Sequence, residues 1–434
     1  MVTRLLPGHL LEYSRNGIQT TRIWFIKNDP INSEESFKFK FKDTFYTVIN
    51  DYLKYLEENK VGFEVSAGLD SSTILSIARD LNPHEIFYSI SSIITPEIDS
   101  HTKLGNVDKI SDLNNSLNLL PIQHDTSEFW AFKNIEKSLN CEEPNPLLVN
   151  FDMYQTIHQK VNTYGITHLF SGEGADEILS SSRNYLFDFF SNMRFSKGLE
   201  ILNRESVFLK QPMWKLLAAY VVPTFLPKML KYEYLNKMNT QTWYNLSNNI
   251  SFIESPPWII KDNCKIHPSV IEKHRCAVLE PSIKEKGKQF DHEFMSLVSN
   301  LNWLDTNVAK PNSVYRLYPF KDKRLIELAF NVEFELKMDL GLNKRGLRET
   351  FNNIIPRNIL EKPDQSQFEF ITRNGINKEW LKVENLIKNS VAADYGWIDK
   401  EKLMEAALNY KFGKKENVNA LVRTLGLEIW LQNL

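Results

Sequence analysis

Apolar residues along this chain fall into short runs typical of buried strands and into longer stretches with the period of a helix. Strand-like runs occupy residues 61–65 and 166–170. Helical stretches cover residues 45–56, 72–81 and 151–161. Strands that alternate with helices predict an α/β fold built on a doubly wound parallel sheet.

The pattern changes outside this α/β region. An Asn16-Gly17 pair between two apolar runs predicts a β-hairpin near the N-terminus. Helical runs dominate the residues after 190, and prolines interrupt them before a helical pattern resumes. These changes predict an N-terminal hairpin and linker, an α/β core, a helical insertion and a helical C-terminal part, with bounds 1–44, 45–190, 191–290 and 291–434.

Composition narrows the class of protein. The chain has 434 residues, 42% of them hydrophobic, and a formal net charge of −2, so it can bury a sizeable core and presents no basic face for nucleic acid. We find no signal pattern and no apolar run long enough for a membrane span. Three cysteines favour a reducing compartment. We therefore expect a cytoplasmic protein that acts on a small molecule or a peptide, without nucleic-acid or membrane partners.

A loop of small polar residues follows the first core strand and opens a helix. Such a loop presents backbone N–H groups at the positive end of a helix, which suits phosphate oxygens. The alternative is a simple helix cap, but a cap needs one of these side chains and not four. The segment therefore predicts a nucleotide site made by Ser66, Ala67, Gly68, Leu69, Asp70, Ser71 and Ser72.

A second loop, residues 171–177, follows the strand-like run 166–170 and reads Ser-Gly-Glu-Gly-Ala-Asp-Glu. Alone, such a segment is more often a solvated turn. Loops after neighbouring parallel strands face one another across a cleft, however, so Asp70 and Asp176 could share a cation. Mg²⁺ fits that arrangement because it takes one or two carboxylates together with substrate phosphates.

These motifs resemble those of a known family. Residues 66–72 resemble the Ser-Gly-Gly-x-Asp-Ser loop of the PP-loop ATP pyrophosphatases, and residues 171–177 are similar to the second signature of their asparagine synthetase branch. Residues 315–322 and 344–356 resemble two further segments of that branch. The resemblance runs from about residue 1 to about residue 370. The branch includes β-lactam synthetases and the cyclases that close lasso peptides.

The resemblance implies an AMP-forming ligase that uses ATP and Mg²⁺, with residues 45–190 as the ATP-binding core. A carboxylate is adenylated, and an amine then attacks the acyl-adenylate to form an amide. The resemblance places Ile90 against adenine, gives Ser171 and Gly172 backbone contacts with the nucleotide, and makes Asp70 and Asp176 metal ligands. Glu173 is the candidate base, with local capping or pairing as its alternative role.

Two residues depart from the family pattern. Ala67 stands where the family mostly has glycine, which restricts the backbone angles of the loop. Asp364 stands where the family has a catalytic lysine. Lys362 could reach the same place from a shifted register, another cation could substitute, or the second half-reaction could be altered. We predict that Lys362 takes the role.

The N-terminus bears on the source of nitrogen. Relatives that hydrolyse glutamine carry a cysteine directly after the initiator Met, whereas this sequence has Val2. We expect a synthetase without its own glutaminase, which takes ammonia, a substrate amine, or ammonia from a separate partner. A partner that delivers a peptide is the other expected kind of partner.

Three functions remain open. The first is amide synthesis on a small amino acid, as in asparagine synthetase. The second is intramolecular amide closure, as in lasso-peptide cyclases and β-lactam synthetases. The third is a non-catalytic ATP-binding subunit, which the retention of Asp70 and Asp176 disfavours.

Overall fold

The computed structural model describes most of the chain. Its described residues are 5, 8–27, 29–31, 33–56, 59–93, 106–125, 128–138, 141–179, 189–191, 193–209, 211–227, 230, 234, 256–260, 302–332, 336, 344–361, 369–414 and 417–434.

The N-terminal hairpin predicted around Asn16-Gly17 is present. Strands β1 (His9–Ser14) and β2 (Gly17–Arg22) pair in antiparallel fashion, with Ser14 opposite Gly17 at the turn. Gly17 has φ of +108°, a backbone angle that glycine adopts without strain.

The first helix, α1 (Glu34–Tyr55), begins earlier than predicted. The predicted start at Phe45 and the predicted domain boundary between residues 44 and 45 both fall inside it. The hydroxyl of Ser33 accepts a hydrogen bond from the amide of Ser36 and caps the helix. Phe37 and Phe41 then extend the buried stripe by two turns toward the N-terminus.

A five-stranded sheet forms the centre of the protein, in the order β5-β4-β3-β6-β7. Every neighbouring pair in it is parallel. The strand β7 lies in the part that we predicted to be helical, residues 291–434, so the sheet draws on two separate parts of the sequence. The strands are β3 (Val61–Glu64), β4 (Tyr88–Ile93), β5 (Leu120–Asp125), β6 (His168–Phe170) and β7 (Tyr315–Leu317).

Hydrophobic clusters cover both faces of this sheet, as expected for a doubly wound fold. On one face, Phe63 of β3 and Phe170 of β6 stack with ring centroids 4.9 Å apart in a core shared with helices α1 and α2. On the other face, Ile90 and Leu169 form a cluster with Val161 of α4. The helices of this region are α2 (Leu69–Leu81), α3 (Asn106–Ser116), α4 (Phe151–Thr163) and α5 (Ala175–Leu179).

Further helices lie in the insertion and in the C-terminal part. Leu421, Leu425 and Ile429 are buried in a separate core of the C-terminal helices. Within the described ranges, we find no helix with the length and apolarity that a bilayer crossing requires. The helices are α6 (Phe195–Leu209), α7 (Met213–Leu216), α8 (Val222–Phe225), α9 (Lys323–Phe330), α10 (Arg345–Thr350), α11 (Arg357–Leu360), α12 (Glu369–Lys378), α13 (Trp380–Lys388), α14 (Val391–Asp394), α15 (Lys400–Lys411) and α16 (Val418–Leu431).

His124 on β5 makes the stability of the fold depend on pH. Its side chain is fully buried against Phe129, and burial lowers its pKa from 6.5 to about 4. As the pH falls below 6.5, the unfolded chain binds a proton there that the folded chain does not bind, so stability is lost down to pH 4. Between pH 7 and pH 5 this loss is about 2 kcal/mol.

We expect His124→Leu to remove this part of the acid sensitivity. The measurement is the free energy of unfolding in urea at pH 7 and at pH 5, for the variant and the unmodified protein. An equal decrease in both proteins would show that His124 does not contribute.

Candidate active site

The two predicted loops meet at the carboxyl ends of β3 and β6, where the strand order reverses. Ligands bind at such a switch point in open parallel sheets. The approach is so close that a Cβ atom on Gly172 would lie 2.7 Å from the backbone nitrogen of Ser71. Glycine is therefore required at position 172 for the loops to touch.

The first loop leads directly into the N-terminus of α2. Gly68 is the N-cap residue and has no side chain to satisfy the first amides of the helix. The hydroxyl of Ser66 accepts a hydrogen bond from the amide of Gly68. Ala67 adopts φ of +52°, a left-handed angle that costs an alanine about 1–2 kcal/mol. The predicted departure from glycine is thus accommodated with backbone strain.

The predicted nucleotide-binding residues divide into two groups. Ala67 and Leu69 pack into the main core, and Ser72 is fully buried. The wall of the cleft is formed by the others, which are Ser66, Gly68, Asp70, Ser71, Ile90, Ser171 and Gly172. Any role of the first group in nucleotide binding would involve backbone atoms.

Asp70 and Asp176 converge on one positive charge, the ammonium of Lys344. The Nζ atom of Lys344 lies 2.5 Å from Oδ2 of Asp70 and 2.7 Å from Oδ1 of Asp176. Lys344 is the N-cap residue of α10 and has φ of +62°. Lys344 belongs to the segment 344–356, whose resemblance to the family was noted above, but its ion pairs with Asp70 and Asp176 were not predicted.

Burial disfavours the charged forms of both Lys344 and Asp70. It would lower the pKa of Lys344, but the carboxylates of Asp70 and Asp176 outweigh it and raise that pKa. Burial raises the pKa of Asp70, Lys344 opposes this shift, and the charge of Asp176 adds to it. Oδ1 of Asp70 is buried and has no hydrogen-bond partner among the described residues. Asp70 therefore has capacity for a further positive group.

These oxygens fit a magnesium ion. Mg²⁺ takes hard oxygen ligands and is commonly held by one or two carboxylates plus phosphate oxygens and water. In the described ranges, no group of three or more His, Cys, Asp or Glu side chains is arranged to hold a metal. Phosphate oxygens of a bound nucleotide and water would supply the remaining ligands of an ion at Asp70 and Asp176.

Arg316 of β7 organises a second charged cluster beside the first. Its side chain is only 2% exposed. It donates two hydrogen bonds of 3.1 Å to the carboxylate of Glu64 and one of 3.4 Å to Oε1 of Glu173. It also donates to the hydroxyl of Tyr318 at 2.7 Å, and that hydroxyl donates to Asp305 at 2.6 Å. One buried cation thus holds several acceptors in fixed positions.

The pKa values of the two glutamates in this cluster shift in opposite directions. Burial would raise the pKa of Glu64, but the ion pair with Arg316 outweighs it and lowers that pKa. Burial raises the pKa of Glu173, Arg316 opposes this shift, and the negative charge of Glu64 adds to it. Oε2 of Glu173 is buried and has no hydrogen-bond partner among the described residues. Glu64 is therefore the ionised partner of Arg316, whereas Glu173 holds a proton more readily than Glu64 does.

A cleft of about 1270 Å³ connects the two charged clusters, and Asp70, Asp176, Arg316 and Glu173 all line it. Single-ligand pockets are commonly about 300–1,000 Å³, so this cleft has room for a nucleotide and a second substrate. Its far wall comes from C-terminal helices that the sequence did not connect with the site. The wall residues from α12 and α16 are Ile371, Thr372, Val418, Asn419, Val422 and Arg423.

Two predicted positions lie outside the described residues: Lys362 and Asp364. Glu64 and Arg316 were not predicted as site residues, although the sequence holds a signal. Each is a charged residue in a short apolar strand, where burial requires a partner.

Comparison with known proteins agrees with this geometry. The family model for asparagine synthase matches residues 54–432, which include both loops, Lys344 and Arg316. The chain is also similar to asparagine synthetase (glutamine-hydrolyzing) 1 of Bacillus subtilis (strain 168), with 23% identity over 99% of this chain and 65% of that protein. The predicted α/β fold of the PP-loop type and the predicted family are confirmed: the chain belongs to the asparagine synthase family.

Proposed function

We propose that this chain is an ATP-dependent, AMP-forming ligase that adenylates a carboxylate and transfers the acyl group to ammonia or an amine. The observation that carries the proposal is the convergence of Asp70 and Asp176 on one positive charge beside the N-terminus of α2. Such a site is suited to a triphosphate and its cation. Family membership supports the same reaction class.

In the first step, a carboxylate oxygen attacks the α-phosphorus of ATP, and pyrophosphate leaves with the electrons of the broken P–O bond. The amides at the start of α2 and the hydroxyls of Ser66 and Ser71 would hold the departing phosphates. Mg²⁺ bound to Asp70 and Asp176 would neutralise charge on those oxygens. Ile90 would pack against the adenine.

In the second step, the amine nitrogen attacks the acyl carbon, and AMP leaves with the electrons of the broken C–O bond. The nitrogen then loses a proton, which Glu173 accepts in this proposal. A pKa raised by burial makes its carboxylate a better base than an exposed one. The nitrogen source stays a prediction: ammonia, a substrate amine, or a separate protein that supplies ammonia or delivers a peptide.

ATP–pyrophosphate exchange tests the proposal because it reports adenylation before any amine is chosen. The panel of acids should include aspartate, apolar amino acids and short peptides. Exchange that requires Mg²⁺ and is lost in Asp70→Asn is the expected result. If the unmodified protein exchanges with no acid, the ligase assignment is wrong and a non-catalytic ATP-binding role remains.

An intramolecular cyclase is the second candidate. The volume of the cleft favours it, because a peptide that folds back on itself needs more room than aspartate. Exchange with peptides but not with aspartate would select this candidate.

Lys362 is the predicted cation for the second step, and the structure brings two other cations, Lys344 and Arg316, to the candidate site. We expect Lys362→Ala to retain pyrophosphate exchange and to lose most amide formation. If Lys362→Ala forms the amide at the rate of the unmodified protein, Lys362 has no role in the second step. Lys344 and Arg316 are then the remaining candidates.

Gly172→Ala tests the contact between the loops. The added Cβ would meet the backbone of Ser71, which cannot rotate away as a side chain could. A displacement of about 1 Å at a reacting centre can reduce a rate about 100-fold, so we expect a drop of that order in exchange. Gly17→Ala is the control: its φ of +108° also strains an alanine, but its Cβ would meet nothing within 4 Å and the hairpin does not line the cleft. Equal activity of the two variants would contradict the prediction.

A further inference from the structure

His158 on α4 is a buried histidine whose tautomer the structure fixes. It is 2% exposed, and its Nδ1 lies 2.7 Å from the carbonyl oxygen of Tyr154. A carbonyl oxygen can only accept, so Nδ1 carries the hydrogen. The other ring nitrogen, Nε2, therefore presents a bare lone pair. Nε2 is buried and has no hydrogen-bond partner among the described residues.

The surroundings keep this imidazole neutral. Burial lowers its pKa, and the positive charge of Arg316 lowers it further, while Glu64 and Asp305 act in the opposite direction. A neutral ring with hydrogen on Nδ1 can accept a hydrogen bond at Nε2 but cannot donate one there. A buried acceptor that stays unpaired is unfavourable, so a bound ligand that donates a hydrogen bond to Nε2 would be stabilised.

His158 and Glu173 both line the cleft. Each contributes one buried acceptor that has no partner among the described residues, Nε2 of His158 and Oε2 of Glu173. The charge of Arg316 acts on the pKa of both side chains, and Arg316 contacts Glu173 directly at 3.4 Å. A ligand with two N–H hydrogens could pair with both atoms, whereas a ligand with one could pair with only one of them.

We propose that Nε2 of His158 accepts a hydrogen bond from the attacking nitrogen, so that His158 and Glu173 together form a subsite for ammonia or a primary amine. The inference rests on the proposed function. Two N–H groups directed at these acceptors would leave the nitrogen lone pair available for the acyl carbon. A secondary amine has one N–H and should be a poorer nucleophile in this site than a primary amine.

The test uses methylamine and dimethylamine as probes, with an acid that supports pyrophosphate exchange. We expect His158→Leu to raise KM for methylamine about tenfold, the effect of one lost hydrogen bond, while exchange is unchanged. The preference for methylamine over dimethylamine should shrink. His158→Gln keeps a side-chain acceptor and should restore part of the affinity.

His124→Leu is the matched control, because His124 is equally buried and does not line the cleft. It should leave KM for methylamine unchanged. If His158→Leu exchanges normally and has the KM of the unmodified protein, the inference is wrong while the proposed function stands. Absence of exchange in the unmodified protein would overturn both.

A spectroscopic measurement covers the case in which His158→Leu does not fold. In ¹⁵N spectra of histidine-labelled protein, the His158 signals, identified by their loss in His158→Gln, should show a hydrogen on Nδ1 and none on Nε2. Methylamine added together with a stable acyl-adenylate analogue should shift the Nε2 signal. A signal that does not move would contradict the inference.

Discussion

Replacing Arg316 with methionine is expected to lower the free energy of unfolding by about 3 kcal/mol, because it removes a buried cation and leaves the carboxylate of Glu64 without its partner. Arg316 holds Glu64 through two hydrogen bonds and also contacts Glu173. Methionine fills similar space but provides neither charge nor donors. Urea denaturation at pH 7 measures the loss.

Arg324→Met is the matched control. Arg324 also forms a paired contact with a carboxylate, that of Asp322, but its side chain is 38% exposed. Exposed pairs contribute about 1 kcal/mol or less, so this variant should remain close to the unmodified protein.

The double variant Glu64→Leu, Arg316→Met separates charge from packing. If the stranded carboxylate causes the loss, removing it should restore part of the stability, since apolar replacement of a whole buried pair is often tolerated. A double variant as unstable as Arg316→Met alone would show that packing at position 316 is responsible.

The sequence predicted the parts of the site that are local in the chain. Each loop follows its own strand, so the small residues at 66–72 and 171–177 could be interpreted without knowledge of distant contacts. The parallel, doubly wound character of the sheet also follows from the alternation of strands and helices, although its strand order does not. These features depend on residues within one supersecondary unit, where pattern is informative.

The groups that complete the site are distant in sequence. Lys344 is 274 positions from Asp70, and Arg316 is 252 positions from Glu64. Their pairing depends on where β7 and α10 lie against the core, which no local pattern encodes. The strand β7 is itself only three residues long and was hidden within a helical region.

Lys344→Met is expected to have the largest effect on activity. Lys344 is 6% exposed at the side chain and forms ion pairs with both Asp70 and Asp176. Removing a preorganised charge of this kind typically reduces a rate about 100–1,000-fold, so we expect a loss of that size in pyrophosphate exchange. A variant that exchanges at the normal rate would show that the ammonium has no part in adenylation.

The same variant should gain affinity for a divalent cation in the absence of ATP. In the unmodified protein, an arriving cation competes with the ammonium that already neutralises Asp70 and Asp176. In Lys344→Met the two carboxylates lose the ammonium between them, so a divalent cation that binds there offsets more of their mutual repulsion. Titration with Mn²⁺, followed by electron paramagnetic resonance, should give a lower Kd for the variant, and Asp176→Asn added to it should abolish the gain. Equal Mn²⁺ affinity in the unmodified protein, Lys344→Met and the double variant would mean that Asp70 and Asp176 do not form a shared cation site. The convergence of these two carboxylates would then no longer support the proposed function.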